Sequence, residues 1–231
     1  MAAPAGLSAV AAAAALRVAC RWVPMHDGEP CGDAAGHFVW PDPCSAPGAP
    51  DSAAGRDAPR AACAVPQHLL AIIDGLGHGP EAAIAAQAAM DLLAAHAALP
   101  LAELFVRLDA RLVSTRGAAI GLVQVHGQRL RHAGVGNTRA LHRRGEAVAR
   151  LPSQNGIVGG GVPARLVVNE LDLAPGDWLL LYTDGIQEAV HLPVELPEWR
   201  RDPATLCQHV LTHWHSGRDD AGVLALWVEG G

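Results

Sequence analysis

From Ala118 onward the hydrophobic period of the chain is two. AAIGLVQVHG, QRLRHAGVGN, TRALHRRG, RLVVNELDLAPGD and WLLLYTDG follow one another across Gly, Asn and Pro turns, and each reads as a strand in an antiparallel run. Before this run the period is helical. A helix is expected from about Pro80 to His96, with Pro80 where a first turn tolerates proline and Glu81 where the helix dipole favours an acid. A second helix starts after Pro100, with Leu101, Leu104, Phe105, Leu108 and Leu112 on one stripe facing a sheet. Ahead of both lies HLLAIIDG, a continuous apolar run of the kind expected for a strand buried on both faces. ALRVACRWVP and GHFVWP read as a hairpin joined by MHDGEPCGDAA, which carries Asp33. After Asp184, IQEAV is expected to start a short helix, DPATLCQHVLTHWH to form another and DAGVLALWVE to close the chain as a strand. Strands on both sides of a helical pair predict an α+β fold of two packed sheets flanked by helices.

A length of 231 residues suits one globular domain, here 16–229. The stretch 1–15 is expected to be a mobile leader: it is weakly apolar, and the absence of any basic residue before Arg17 argues against a signal peptide or membrane span. Residues 42–66, rich in Pro, Ala, Gly and Ser, cannot bury enough apolar surface to offset their ordering entropy, so a disordered loop insertion is expected there. Aromatic residues are only 4% of the chain, so its core must be built from Leu, Val and Ala, with the tryptophans serving as core or edge packing.

A net charge of -6 argues against a nucleic-acid partner, and the densest basic stretch, RLRHAGVGNTRALHRR, reads as the exposed faces of a strand pair. All 17 basic residues are arginine, which removes P-loop lysines, Schiff-base lysines and Ser-Lys dyads together. Five scattered cysteines without C-x-x-C spacing fit a reduced, cytoplasmic chain. The triad His209, His213 and His215 lacks the glutamate of H-E-x-x-H and reads as a solvated helix end. GIVGGG lacks the lysine and helix of a phosphate loop and reads as a flap near the active site or a turn between strands.

The acids Asp33, Asp74, Asp184, Asp219 and Asp220 carry the chemistry. Each stands at the edge of a predicted strand. One such residue alone is ordinarily a turn former or helix cap, but carboxylates from distant segments that converge where strand ends meet repel one another unless a cation compensates. All-oxygen ligands suit Mg²⁺ and Mn²⁺ rather than zinc. Two such ions roughly 3.5–4 Å apart would position and deprotonate a water for in-line attack on a phosphate. The glycine after Asp74 would leave the backbone carbonyl of Gly75 open to a metal or its water.

IIDGLGHG, GDWLLLYTDGIQEA and the terminal RDDAGVLAL resemble the metal-dependent serine/threonine protein phosphatases of the PPM type, specifically their SpoIIE-like branch. GEPCGDA is similar to that branch's acidic Gly-Asp motif, and AGVGNTRA with SQNGIVGG is most similar to its short RsbX-like members. The resemblance implies a four-layer α-β-β-α sandwich in which two antiparallel sheets are flanked by helices. It implies that Asp74 bridges two Mn²⁺ or Mg²⁺ ions, Gly75 lends its carbonyl, Asp33 completes one shell, and Asp184 and Asp219 hold the other ion. Asp74 and Asp184 would thereby act in catalysis through a metal-activated water. Asp220, where the wider family often has Asn, and His78, displaced from the family's position directly after DG, would stand just behind these ligands.

The expected activity is hydrolysis of phosphoserine or phosphothreonine on a phosphorylated regulatory partner, by resemblance a STAS-domain protein of a stress-response or sigma-factor partner-switching module. With no room for a separate sensor domain, control would come from substrate, partner or abundance. The alternatives are a non-catalytic interaction protein that keeps the fold, and a two-metal phosphodiesterase.

Overall fold

The computed structural model describes residues 15–41, 66–188, 190 and 202–230. Among them the element order is β1 (Leu16–Val23), β2 (Asp33–Trp40), β3 (Gln67–Gly75), α1 (Pro80–His96), α2 (Leu101–Leu112), β4 (Ala118–His126), β5 (Arg129–Val135), β6 (Arg139–Arg144), β7 (Ala147–Leu151), β8 (Asn169–Asp172), β9 (Trp178–Tyr182), α3 (Pro203–Trp214) and β10 (Ala221–Val228). Two five-stranded sheets result, one ordered β1-β10-β9-β6-β7 and the other β2-β3-β4-β5-β8. Every pairing is antiparallel.

β3 shows why the layers stack as they do. Its alternate residues point to opposite faces, and neither face meets water. Leu70 and Ile72 pack into the inter-sheet core with Val123, Leu179, Leu181, Leu224 and Leu226. Leu69, Ala71 and Ile73 turn the other way, into a second core with Ala86, Ala89 and Leu93 of α1 and Leu104, Phe105 and Leu108 of α2. A third core joins Leu180, Tyr182, Val223 and Ala225 to Leu206, Cys207 and Val210 of α3. The layers are therefore α1/α2, sheet, sheet, α3. Each fully buried Leu or Ile contributes about 1.5–3 kcal/mol relative to an exposed one, so continuous apolar strands hold both interfaces at once.

α1 spans the range expected of it, α2 starts after Pro100 as expected, and α1 buries Ala82, Ala85, Ala86, Ala88 and Ala89 against the sheet. Such small side chains let a helix backbone approach its sheet closely. Trp178 is buried beside Trp227, with ring centroids 6.1 Å apart, as packing requires, whereas Trp22 is 46% exposed.

Three local expectations are corrected, and one strand is added. β1 and β2 do not form a hairpin: β1 pairs with the C-terminal β10 from Leu16↔Val228 to Val23↔Ala221, while β2 pairs with β3 in the other sheet. The basic stretch likewise spans two sheets, since β5 and β6 belong to different ones. Among the described residues of IQEAV no helix begins; Ile186 instead forms an isolated bridge with His215, within a turn that follows Thr183. β7, with its largely exposed residues, carries no apolar alternation and was not foreseen as a strand. The expected leader (1–15) and insertion (42–66), together with Trp199, lie outside the described residues apart from Ala15 and Pro66. Among the described residues no helix is long and apolar enough to cross a membrane.

Candidate active site

The acids converge because the strands bearing them end on one side of the sandwich. The β2–β3 register sets Asp33 directly opposite Asp74, and Asp74 faces Ala119 on β4. From the other sheet, β9 stops at Tyr182 just before Thr183 and Asp184, and β10 starts just after Asp219 and Asp220. The two sheets meet at Thr183, whose hydroxyl donates to Asp33 Oδ2 at 2.6 Å and accepts from the Gly222 N–H at 2.8 Å. Asn137, in the β5–β6 turn, donates through Nδ2 to Asp184 Oδ2 at 2.6 Å. Asp74, Asp184 and Asp219 line a cleft of about 380 Å³ that Leu76 and Ile157 flank with exposed apolar side chains.

Crowding shows in the ionisation of these groups. Burial, followed by the charge of Asp74, pushes Asp33 up to about 8 against the pull of the Thr183 hydrogen bond. Burial and the charges of Asp184 and Asp219 push Asp74 up to about 7, with a hydrogen bond from Asn137 opposing. Asp219 is raised by burial, its hydrogen bond from the Asp220 amide opposes, the Asp184 charge raises it further, and nearby His78 lowers it. Among the described residues no three His, Cys, Asp or Glu side chains are drawn together as a closed ligand cage. Asp74, Asp184 and Asp219 are neighbours around a cleft, each on or beside the end of a strand.

The bare backbone after Asp74 has two physical causes. Gly77 and Gly79 adopt φ of 85° and 74°, the left-handed region that favours glycine. Gly75 answers to packing: a Cβ there would run into the carbonyl of Ala82 in the first turn of α1 and stand 3.0 Å from the Gly32 oxygen. His78 lies on this loop, edge-on to His26 with ring centroids 6.5 Å apart.

Asp220 acts on the backbone. Its buried carboxylate accepts from the Met25 and Gly32 N–H groups, both at 2.6 Å, and so secures the connection that carries the chain from β1 to Asp33. Asp220→Ala orphans both donors, each worth roughly 1–3 kcal/mol when left unpaired. Urea denaturation is expected to show that loss, with a smaller one for Asp220→Asn, which retains one acceptor oxygen.

The glycine loop after β7 borders the cleft through Asn155, Gly156 and Ile157. Its amides are already occupied: Gly159 N–H and Gly161 N–H donate to Asp109 Oδ1 of α2 at 2.7 and 3.0 Å. Thr183, Asn137 and Asp109 were not singled out from the sequence. Thr183 could have been suspected from its place directly before Asp184, and Asn137 from the Gly-Asn turn that opens β6; Asp109 leaves no local signal.

The fold recurs among solved structures, several of them phosphatases. RsbX in complex with magnesium matches at TM-score 0.67 and 16% identity, over 93% of this chain and 96% of that one. The PP2C phosphatase domain of SpoIIE from Bacillus subtilis, solved with a fragment of its regulatory domain, matches at TM-score 0.68 and 18% identity, over 94% and 64%. A protein from work on the bacterial stressosome, as a modular system adapted to control secondary messenger signaling, matches at TM-score 0.72 and 26% identity, over 92% and 99%. No curated protein matches the chain in sequence. The class so defined is that of the PPM protein serine/threonine phosphatases, with the PP2C-type fold. Within that class, residues 66–229 match the family Stage II sporulation protein E (SpoIIE), and the chain belongs to it.

Proposed function

We propose that this phosphatase hydrolyses phosphoserine or phosphothreonine on a phosphorylated regulatory protein, a STAS-domain partner in a cytoplasmic stress-response or sigma-factor partner-switching module. The residues at 16–229 would form its single phosphatase domain. The observation that carries the reading is the convergence of acids from separate segments of the chain: Asp74, Asp184 and Asp219 line one cleft, and Asp33 is buried directly opposite Asp74. The likeness to RsbX, itself solved with magnesium, and to a stressosome protein supports the choice of module.

The donor set fits divalent cations. Burial first, and then the charges of neighbouring carboxylates, raise Asp33 and Asp74, a crowding that a cation relieves, and hard oxygen donors suit Mg²⁺ or Mn²⁺. Asp33, Asp74, the Gly75 carbonyl, Asp184 and Asp219 would hold two such ions, which when bound supply an activated water for attack on phosphorus. The chain's own part is positional. Thr183 fixes the rotamer of Asp33, Asn137 aims Asp184, and Asp220 keeps the loop before Asp33 in place. Leu76 and Ile157 give the cleft mouth an apolar rim against which substrate residues beside the phosphorylated one can pack.

Purified protein is expected to release phosphate from a phosphoserine-bearing STAS-domain protein in Mn²⁺ and to release none in excess EDTA. Release that persists in EDTA would overturn the metal assignment. Binding without release, across several phosphorylated STAS domains, would favour an interaction protein, and cleavage of diesters in preference would favour a phosphodiesterase.

A further inference from the structure

A phosphate dianion entering this cleft meets carboxylates at its floor, so cations at the rim matter to binding as well as to chemistry. Arg116, in the connection between α2 and β4, lies against Gly77 of the cleft wall. Its base is fixed on both sides: the Gly117 carbonyl accepts the Leu76 N–H at 3.0 Å, and Ala118 exchanges two hydrogen bonds with Val158 at 3.0 and 2.9 Å. Arg116 is thus rooted between the two loops that supply Leu76, Gly77, Gly156 and Ile157 to the cleft wall.

The head of the side chain is less constrained. Nη1 lies over Gly77, 2.8 Å from where a Cβ would stand, and it is the one group such a Cβ would meet within 4 Å. The absence of a side chain at Gly77 therefore leaves the guanidinium in contact with the cleft wall. Nε donates to Glu81 Oε2, in the first turn of α1, at 2.5 Å. The two side chains are 49% and 67% exposed, so solvent screens the pair and holds it weakly. Arg139 is also close to the acids, but its guanidinium is committed to the Asn137 carbonyl and to Glu188.

We propose that Arg116 binds the substrate's phosphate, giving up Glu81 for phosphoryl oxygens that match its planar fork. This inference rests on the phosphatase reading above. Glu81 is then a competitor for the guanidinium, and removing the two partners has opposite consequences for binding.

The test is calorimetric titration, in Mg²⁺, of a peptide bearing a non-hydrolysable phosphonate analogue of phosphoserine into wild type, Arg116→Ala, Arg116→Lys and Glu81→Gln. Loss of a charge-assisted contact to phosphate predicts binding about 10- to 100-fold weaker for Arg116→Ala. Arg116→Lys, which keeps the charge without the fork, falls between. Glu81→Gln binds as tightly as wild type or up to about fivefold tighter. Equal binding by Arg116→Ala and wild type overturns the proposal. So does weakening of similar size in Arg116→Ala and Glu81→Gln, the pattern of a pair that serves only the fold. Thermal unfolding of each variant separates either result from misfolding. Phosphate release from the hydrolysable peptide is read on the same wild-type preparation. Wild-type binding without release would strike the hydrolase reading and leave the Arg116 result standing, while release with unaltered Arg116→Ala binding would strike Arg116 alone.

Discussion

Asp74→Asn is expected to abolish phosphate release and, in the same protein, to raise the melting temperature measured in EDTA. The activity should fall by more than about 100-fold, the most that loss of a partner merely behind a metal ligand ordinarily costs. The stability gain follows from the environment of the wild-type group. Burial and the charges of Asp184 and Asp219 push Asp74 up to about 7, above its ordinary carboxylate value. The metal-free folded chain therefore holds that proton more tightly than the unfolded chain does. Its contribution to stability is full below about pH 4 and is lost as pH rises through about 7. Asparagine cannot ionise, so its advantage is absent at pH 4 and complete at pH 8. A gain of about 1 kcal/mol moves the midpoint by roughly 2–4 °C at this chain length. Scanning fluorimetry in EDTA at both pH values, followed by Mg²⁺ addition, checks the sign. Wild type should gain stability from the ion and the variant much less, and a variant less stable than wild type at pH 8 without metal would refute the account.

Gly75→Ala, one residue further along, is expected to lose activity and stability together. The added methyl collides with the Ala82 carbonyl and approaches the Gly32 oxygen, and both obstacles are backbone. Relief therefore requires the end of β3, the first turn of α1 or the loop before Asp33 to move. Overpacking of this kind costs about 1–3 kcal/mol, and movement of the end of β3 or of the loop before Asp33 displaces Asp74 or Asp33. Urea denaturation and phosphate release measured side by side distinguish this from the neighbouring substitution, where stability rises as activity disappears. Full stability in Gly75→Ala would mean that α1 yields freely at its first turn.

These neighbours also mark what the sequence discloses. Asp74 was legible as a strand-end acid because a continuous apolar run ending in a carboxylate is an unusual local pattern. The reason for Gly75 was only partly legible, since the helix turn that fills its vacant side comes from seven residues downstream and its approach is a tertiary fact. The same distinction separates the strands from their partners. Apolar periodicity marked β1 and β2 as strands but records nothing about pairing, and two strands joined by a turn look alike whether they form a hairpin or cross between sheets. β7 escaped because its residues face solvent and its pattern carries no core signal. Thr183 and Asn137 left only the faint signal of standing beside an acid or in a turn, and Asp109, whose partners are amides about fifty residues downstream, left none.

The β2–β3 register has an engineering consequence. Asp33 and Asp74 face each other at one end of this pair, while Trp40 and Gln67 face each other at the opposite end. Seven strand steps separate these ends, about 24 Å at the rise of an antiparallel strand. Pro41 and Pro66, both exposed, flank that far end. A fluorophore or affinity handle attached at either would sit at the pole away from the carboxylates, leaving the cleft mouth clear for a protein-sized visitor.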